Sequence, residues 1–241
     1  MVKSKYLLEN ILTKEDPKKI KESILGIAQI FFDEVLDPTG TLETNQKEIW
    51  GSVWRAVELA VPGYCKNDLS RELIRNEMSK HRWILGRCKN SYKRDAAYEF
   101  WMETLLLPFA DEVYSGLNEK VDLIIPVASG GFEPAALCEY YLGVTNILPI
   151  RYSYYRKNDC AVLVPPWESQ ETLEKNIGGK NILLAEDAIV RGKTLEGVSR
   201  WLEQYKPEKI YLAAVNFCGS PAILQYSEHD GLYHDIKIPK K

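Results

Sequence analysis

Apolar residues return every three or four positions through the first half of the chain, the spacing of helices that bury one face. Ile20, Ile24, Ile27 and Phe31 form one such stripe; it follows Asp16-Pro17, a capping residue with proline at the first helical position, and stops at Asp37-Pro38-Thr39-Gly40. Asn45 with Glu48 three residues on predicts a second helix, which carries Ile49, Val53, Val57 and Ala60 and closes at Val61-Pro62-Gly63. The segment after Asn67-Asp68 is predicted to be helical too. A last helix, with Ala97, Phe100, Trp101, Thr104 and Leu105 on one side, runs toward Tyr114 with a bend at Pro108.

After Asn118 the period changes. Val121 to Val127 is a short apolar run ending in Ser129-Gly130-Gly131; a helix from Pro134 to Leu142 and a second run from Val144 to Ile150 follow. Asn181 to Ala185 reads as a strand, Thr194 to Tyr205 as a helix and Lys209 to Phe217 as another strand. Strands alternating with helices predict an α/β fold with three layers and a parallel sheet. The expected division is a mainly helical region over residues 1–118 and an α/β core over 119–241. Ligands of such sheets sit beyond the carboxyl ends of the strands, so the residues just after each strand should carry the chemistry.

With 45% hydrophobic and 27% charged residues, the composition excludes a disordered or collagen-like chain. No apolar run approaches the ~18 residues that cross a bilayer, and Met1 to Asn10 does not lead into a signal-peptide core. The expectation is a cytoplasmic protein with no membrane partner. Five scattered cysteines without a CxxC pair, and three histidines, predict neither a zinc site nor a disulfide framework. The net charge of −3 is uneven: Lys66 to Arg94 holds nine Lys/Arg against three acids, which is +6 and leaves −9 elsewhere. Such a strip can attract phosphates, nucleic acid or an acidic surface, with Trp83 and Tyr92 available to stack on bases. A solvated helix face carries the same pattern, and the sequence favours it over nucleic-acid binding.

The densest chemistry lies in Ile182 to Leu195, where a buried strand leads into Glu186-Asp187, a short apolar link and a glycine turn that opens a helix. Backbone amides of Arg191, Gly192, Lys193 and Thr194, the Thr194 hydroxyl and the positive end of the helix dipole could cradle a phosphate monoester. The carboxylates of Glu186 and Asp187 could accept hydrogen bonds from a sugar diol and hold part of a divalent cation's hydration shell. A nucleotide P-loop is excluded because the glycine it needs five positions before Gly192 is Asp187. A serine nucleophile elbow would need glycine where Val127 stands.

The acid pair and its small-residue loop resemble the phosphoribosyl pyrophosphate (PRPP) signature of the type I phosphoribosyltransferases. The likeness extends to Pro126-Val127-Ala128-Ser129-Gly130-Gly131-Phe132-Glu133-Pro134, which is similar to that family's pyrophosphate loop, and covers about half the chain. It implies a phosphoribosyltransferase-like core in which Glu186 and Asp187 are catalytic, Arg191, Gly192, Lys193 and Thr194 bind phosphate, and Ser129, Gly130 and Gly131 bind pyrophosphate. Arg151, Arg156 and Lys157 would belong to a basic loop that closes over pyrophosphate. The implied reaction moves ribose 5-phosphate from Mg-bound PRPP to a nitrogenous acceptor, with magnesium carried on the ligand and touched by Glu186 and Asp187. A homodimer is the implied assembly, and the helical region is the candidate for the acceptor-selecting hood, with Tyr152, Tyr154, Tyr155 and Trp167 available to stack on an aromatic acceptor.

Three residues depart from the family pattern: Ser129 replaces a basic residue, Arg191 replaces a small one, and Val190 stands where 6-oxopurine enzymes carry a third acid. Val190 argues against a 6-oxopurine acceptor. The alternative implied by the same residues is a PRPP or nucleotide sensor without turnover, whose basic helical segment contacts nucleic acid or protein.

Overall fold

The computed structural model describes residues 2–37, 45–88, 91–92, 96–117, 119–128, 130–152, 162–189, 192–217, 220–227 and 232–235. Two compact units emerge. One comprises Met1–Ala96 with Pro165–Trp167, the other Ala97–Val164 with Glu168–Lys241. The sequence period changes at Asn118, whereas the units divide at the start of the last long helix.

The first unit is helical, with α1 (Ser4–Thr13), α2 (Pro17–Val35), α3 (Gln46–Cys65), α4 (Arg71–Lys80) and α5 (Arg82–Leu85) beside a two-stranded pair, β1 (Val2–Lys3) and β2 (Ser91–Tyr92). α2 starts where the sequence places it, because the Asp16 carboxylate accepts from the Lys18 amide at 3.0 Å and Pro17 has no amide to leave unpaired. Asn45 precedes α3 in a left-handed conformation, φ 55°, with no side-chain cap bond. α3 also runs through Pro62 and Gly63, past its expected end. In the last turn a proline removes a single ladder bond, and the carbonyls of Pro62 and Gly63 are taken by the amides of Lys66 (3.0 Å) and Asp68 (2.8 Å). The stripes predicted from periodicity meet inside this unit, where Ile24, Phe31, Ile49, Val53, Val57 and Ile74 are fully buried.

The second unit opens with α6 (Ala96–Gly116), which contains Pro108, and continues with β3 (Leu123–Ala128), α7 (Phe132–Leu142), β4 (Ile150–Tyr152), β5 (Val162–Leu163), α8 (Gln170–Ile177), β6 (Asn181–Ile189), α9 (Lys193–Glu203), β7 (Lys209–Phe217), β8 (Ser220–Ser227) and β9 (Leu232–Asp235). The sheet has seven strands in the order β5-β4-β3-β6-β7-β8-β9. Its four central strands are parallel, as predicted. The flanks are not: β5 pairs antiparallel with β4, and β8 and β9 form an antiparallel edge beyond β7. Pro221 hid β8 from the sequence reading, since proline cannot donate to a ladder. Here it falls at an irregularity in the register with Ala214–Phe217, where an unpaired position is tolerated.

Two further boundaries moved. The run from Val144 contributes an isolated bridge at Ile147 to Ile124 before β4 begins at Ile150. β6 continues four residues past Ala185, because β7 is long enough to pair with Glu186, Ala188 and Ile189 as well. The start of β6 is pinned to β3: the Asn181 amide donates to the Asp122 carboxylate at 3.1 Å, which holds that carboxyl below its usual range. One sheet face packs on α8 and α9 through Ile182, Leu184, Leu173, Ile177, Val198 and Leu202. Among the described residues, no helix is long and apolar enough to cross a membrane.

Truncating Phe31 to alanine should lower the unfolding free energy of the helical unit by about 3–5 kcal/mol, since its ring is fully buried and leaves a cavity. Urea denaturation followed by far-ultraviolet circular dichroism reads this. A loss below about 1 kcal/mol would mean that the stripe is not the core.

Candidate functional site

Parallel pairing sets the geometry. β3 and β6 run level from Leu123 opposite Ile182 to Pro126 opposite Ala185, so the loop after β3 emerges over the acids of β6. Gly130 is the point of contact. A β-carbon built there would overlap the Asp187 carboxylate, so a side chain at position 130 would force that carboxylate to move. At Gly131 the same addition would lie 2.6 Å from the Val127 nitrogen and against the Ala185 carbonyl, which closes the turn into α7 to any side chain. The pyrophosphate-loop glycines and the acid pair, read separately in the sequence, are thus in direct contact.

The two acids differ. Strand alternation puts Glu186 on the face of Ile182 and Leu184, at the end of an apolar stripe, and it is 9% exposed. Asp187 lies on the other face, half-buried beneath Gly130. The Asp187 amide donates to Glu186 Oε1 at 3.1 Å, and the Ala188 amide donates to Asp187 Oδ1 at 2.6 Å. Burial raises the Glu186 carboxyl well above its ordinary range, and the charge and hydrogen bond of Asp187 raise it further; the positive charge of Arg151 pulls the other way. The pair therefore joins one buried carboxyl, raised above its ordinary range, to one half-buried acid against Gly130.

Arg151 is in β4, paired in register with Ala128 of β3, and its charge reaches Glu186. It belongs to the sheet rather than to the loop that follows. Tyr152 also packs inward, its ring so close to Gly197 of α9 that no side chain fits there, and it joins the apolar cluster. This contact uses the ring that the sequence reading offered to an acceptor. Beyond β6, Gly192 caps α9 in the left-handed region at φ 68°, with open space around the position of a β-carbon. Lys193 and Thr194 begin the helix, whose first-turn amides have no intrahelical partner and no side-chain cap. Ser129, Arg156, Lys157, Val190, Arg191, Tyr154 and Tyr155 lie outside the described residues. The sequence reading passed over Glu133, a buried acid in the first turn of α7. Its place directly after Gly-Gly-Phe was the signal that could have found it.

Residues 108–226 match the family model described as "Phosphoribosyl transferase domain". The chain is 21% identical over 188 residues to the transcriptional regulator GfcR of Methanocella arvoryzae, covering 70% of this chain and 88% of that protein. Among solved structures, it is similar to a purine phosphoribosyltransferase from Pyrococcus horikoshii at 23% identity and a TM-score of 0.38, over 48% of this chain and 71% of that one. A hypoxanthine-guanine phosphoribosyltransferase from Bacillus anthracis is similar at 23% identity and a TM-score of 0.35, over 48% and 65%.

Two outcomes follow from this geometry. Gly130→Ala should cost about 1–3 kcal/mol of stability, and much less in an Asp187→Ala background that removes the obstructing carboxylate; additive losses would separate the two residues. The preference of Glu186 for its proton contributes stability fully below the unfolded value of 4.5, and that contribution is lost as pH rises from there through the raised native value. Glu186→Gln should flatten this decline in denaturation curves taken across mildly acidic to neutral pH, and an unchanged slope would refute it.

Proposed function

Because residues 108–226 place the chain in the phosphoribosyl transferase domain family, we propose that it transfers ribose 5-phosphate from Mg-bound PRPP to a nitrogenous acceptor other than a 6-oxopurine and releases pyrophosphate. The observation that carries this reading is the seating of the Gly130 backbone on the Asp187 carboxylate, which joins the loop expected to take pyrophosphate to the acid expected to take the ribose.

Each part has a use. Asp187 accepts from the ribose hydroxyls and stabilises positive charge growing at the anomeric carbon as the pyrophosphate bond breaks and the acceptor nitrogen attacks. Glu186, buried and with its carboxyl raised well above the ordinary range, accepts from the Asp187 amide and positions the acid that meets the ligand. Amides from Arg191 to Thr194 and the Thr194 hydroxyl bind the 5-phosphate, while Ser129, Gly130, Gly131, Arg151, Arg156 and Lys157 serve pyrophosphate. Among the described residues no group of three or more His, Cys, Asp or Glu side chains could hold a metal. Two adjacent carboxylates fit an ion that arrives on the ligand and keeps its water, so Glu186 and Asp187 would hold magnesium through that shell. Magnesium supplies charge neutralisation of the leaving pyrophosphate. Catalysis by the chain itself is positioning and electrostatics.

A second reading is a sensor that binds PRPP or a nucleotide without turning it over. The named regulator favours it, since that similarity takes in 70% of this chain. Pyrophosphate release from PRPP, followed across a panel of pyrimidine, pyridine and purine bases, separates the readings: turnover with any acceptor supports the enzyme, and tight binding without release supports the sensor. In either case Asp187→Asn should weaken Mg-PRPP by about 1–3 kcal/mol in calorimetry. Unchanged affinity in a folded variant would remove the acid pair from the site.

A further inference from the structure

The helical unit carries a groove that the transferase reading leaves unused. It is lined by Lys5, Leu8, Glu9, Leu12 and Thr13 of α1, Ser79 and Lys80 at the end of α4, and Arg82, Trp83, Gly86 and Arg87 in and after α5, with a volume of about 1060 Å³. Four cations line it against one carboxylate, Glu9. Lys80 is paired with Glu77 at 2.7 Å, but among the described residues Lys5, Arg82 and Arg87 make no ion pair. Trp83 stands 68% exposed. The Arg87 guanidinium lies 3.8 Å from its ring centroid and covers one face, so an indole this exposed presents the other face to solvent.

Exposing a tryptophan to this extent forfeits the burial that usually holds such a ring in place, so a free face beside unpaired cations asks for a partner with both a flat apolar surface and negative charge. We propose that this groove binds single-stranded nucleic acid, with Trp83 stacking on a base and Lys5, Arg82 and Arg87 contacting the backbone phosphates. Three observations choose this occupant. A duplex keeps its base faces stacked inside and has nothing to offer an indole face. An acidic peptide would satisfy the cations but leave the ring unused. The groove also opens to solvent along its length instead of enclosing a ligand, which suits a strand passing through. The site lies wholly within the first unit, so it stands whether or not the second unit turns over PRPP.

The test is fluorescence anisotropy on the full chain, with short labelled oligouridylate, oligothymidylate, a duplex of matched length and polyglutamate as probes, over a range of salt. Single strands should bind in preference to duplex and polyglutamate. Trp83→Ala should weaken them at least about 5-fold and Trp83→Phe should restore most of the loss, because stacking needs a ring and not an indole. Arg82→Glu and Arg87→Glu should each lower the slope of log affinity against log salt by roughly 0.7, the value for one phosphate on a single strand. The same reversal at the exposed Lys175 of α8 should change neither. A preference for the RNA or the DNA strand supports the site and names its source. Equal or tighter binding of duplex or polyglutamate, indifference to Trp83→Ala in a protein with unchanged circular dichroism, or no oligonucleotide binding at low salt would each overturn it.

Discussion

The second unit depends on the register between β3 and β6. Four successive pairs from Leu123–Ile182 to Pro126–Ala185 hold two apolar strands level, and the Asn181 amide on Asp122 pins their start. A slip of one residue would turn Ile182, Leu184 and Glu186 away from α8 and α9 and put Leu183, Ala185 and Asp187 in their place. It would also lift Gly130 off Asp187. The register that buries the core is therefore the one that brings Gly130 onto Asp187, and the fold cannot keep one without the other.

The same alternation that builds the core divides the labour of the acids. Adjacent residues on a strand face opposite sides, so the two carboxyls of the β6 pair sit in unlike surroundings. One is committed to the apolar layer beneath α9, where its charge is costly, and the other is left at the loop. Arg151, reached from β4, adds a positive charge near the buried member and offsets part of that cost.

Much of this was legible in the sequence, and the failures have physical causes. The Ile20 to Phe31 stripe and the Asp16-Pro17 cap are local signals and located α2; β7 was found at its observed bounds because Ile210 to Val215 is an unbroken apolar run at its centre. The parallel centre of the sheet followed from strands alternating with helices. Glu186 and Asp187 read as the end of a strand because charge in a sheet is expensive, and only the length of β7 reveals that pairing continues through them. β8 was invisible because Pro221 contradicts a strand until the register irregularity is known. The split between two acids of unlike burial, the seat of Gly130, and the meeting of α1 with α5 are tertiary facts, and no local pattern encodes them.

The antiparallel flanks of the sheet bear on how copies of this protein can meet. An open sheet ordinarily invites a neighbour to add a strand along its unpaired edge. Here one edge is β5, only two residues long, and the other is the four-residue β9. Among the described residues both edges are short, and the long parallel strands that could template growth are all interior. In that described part, the sheet offers an added strand little ladder to extend.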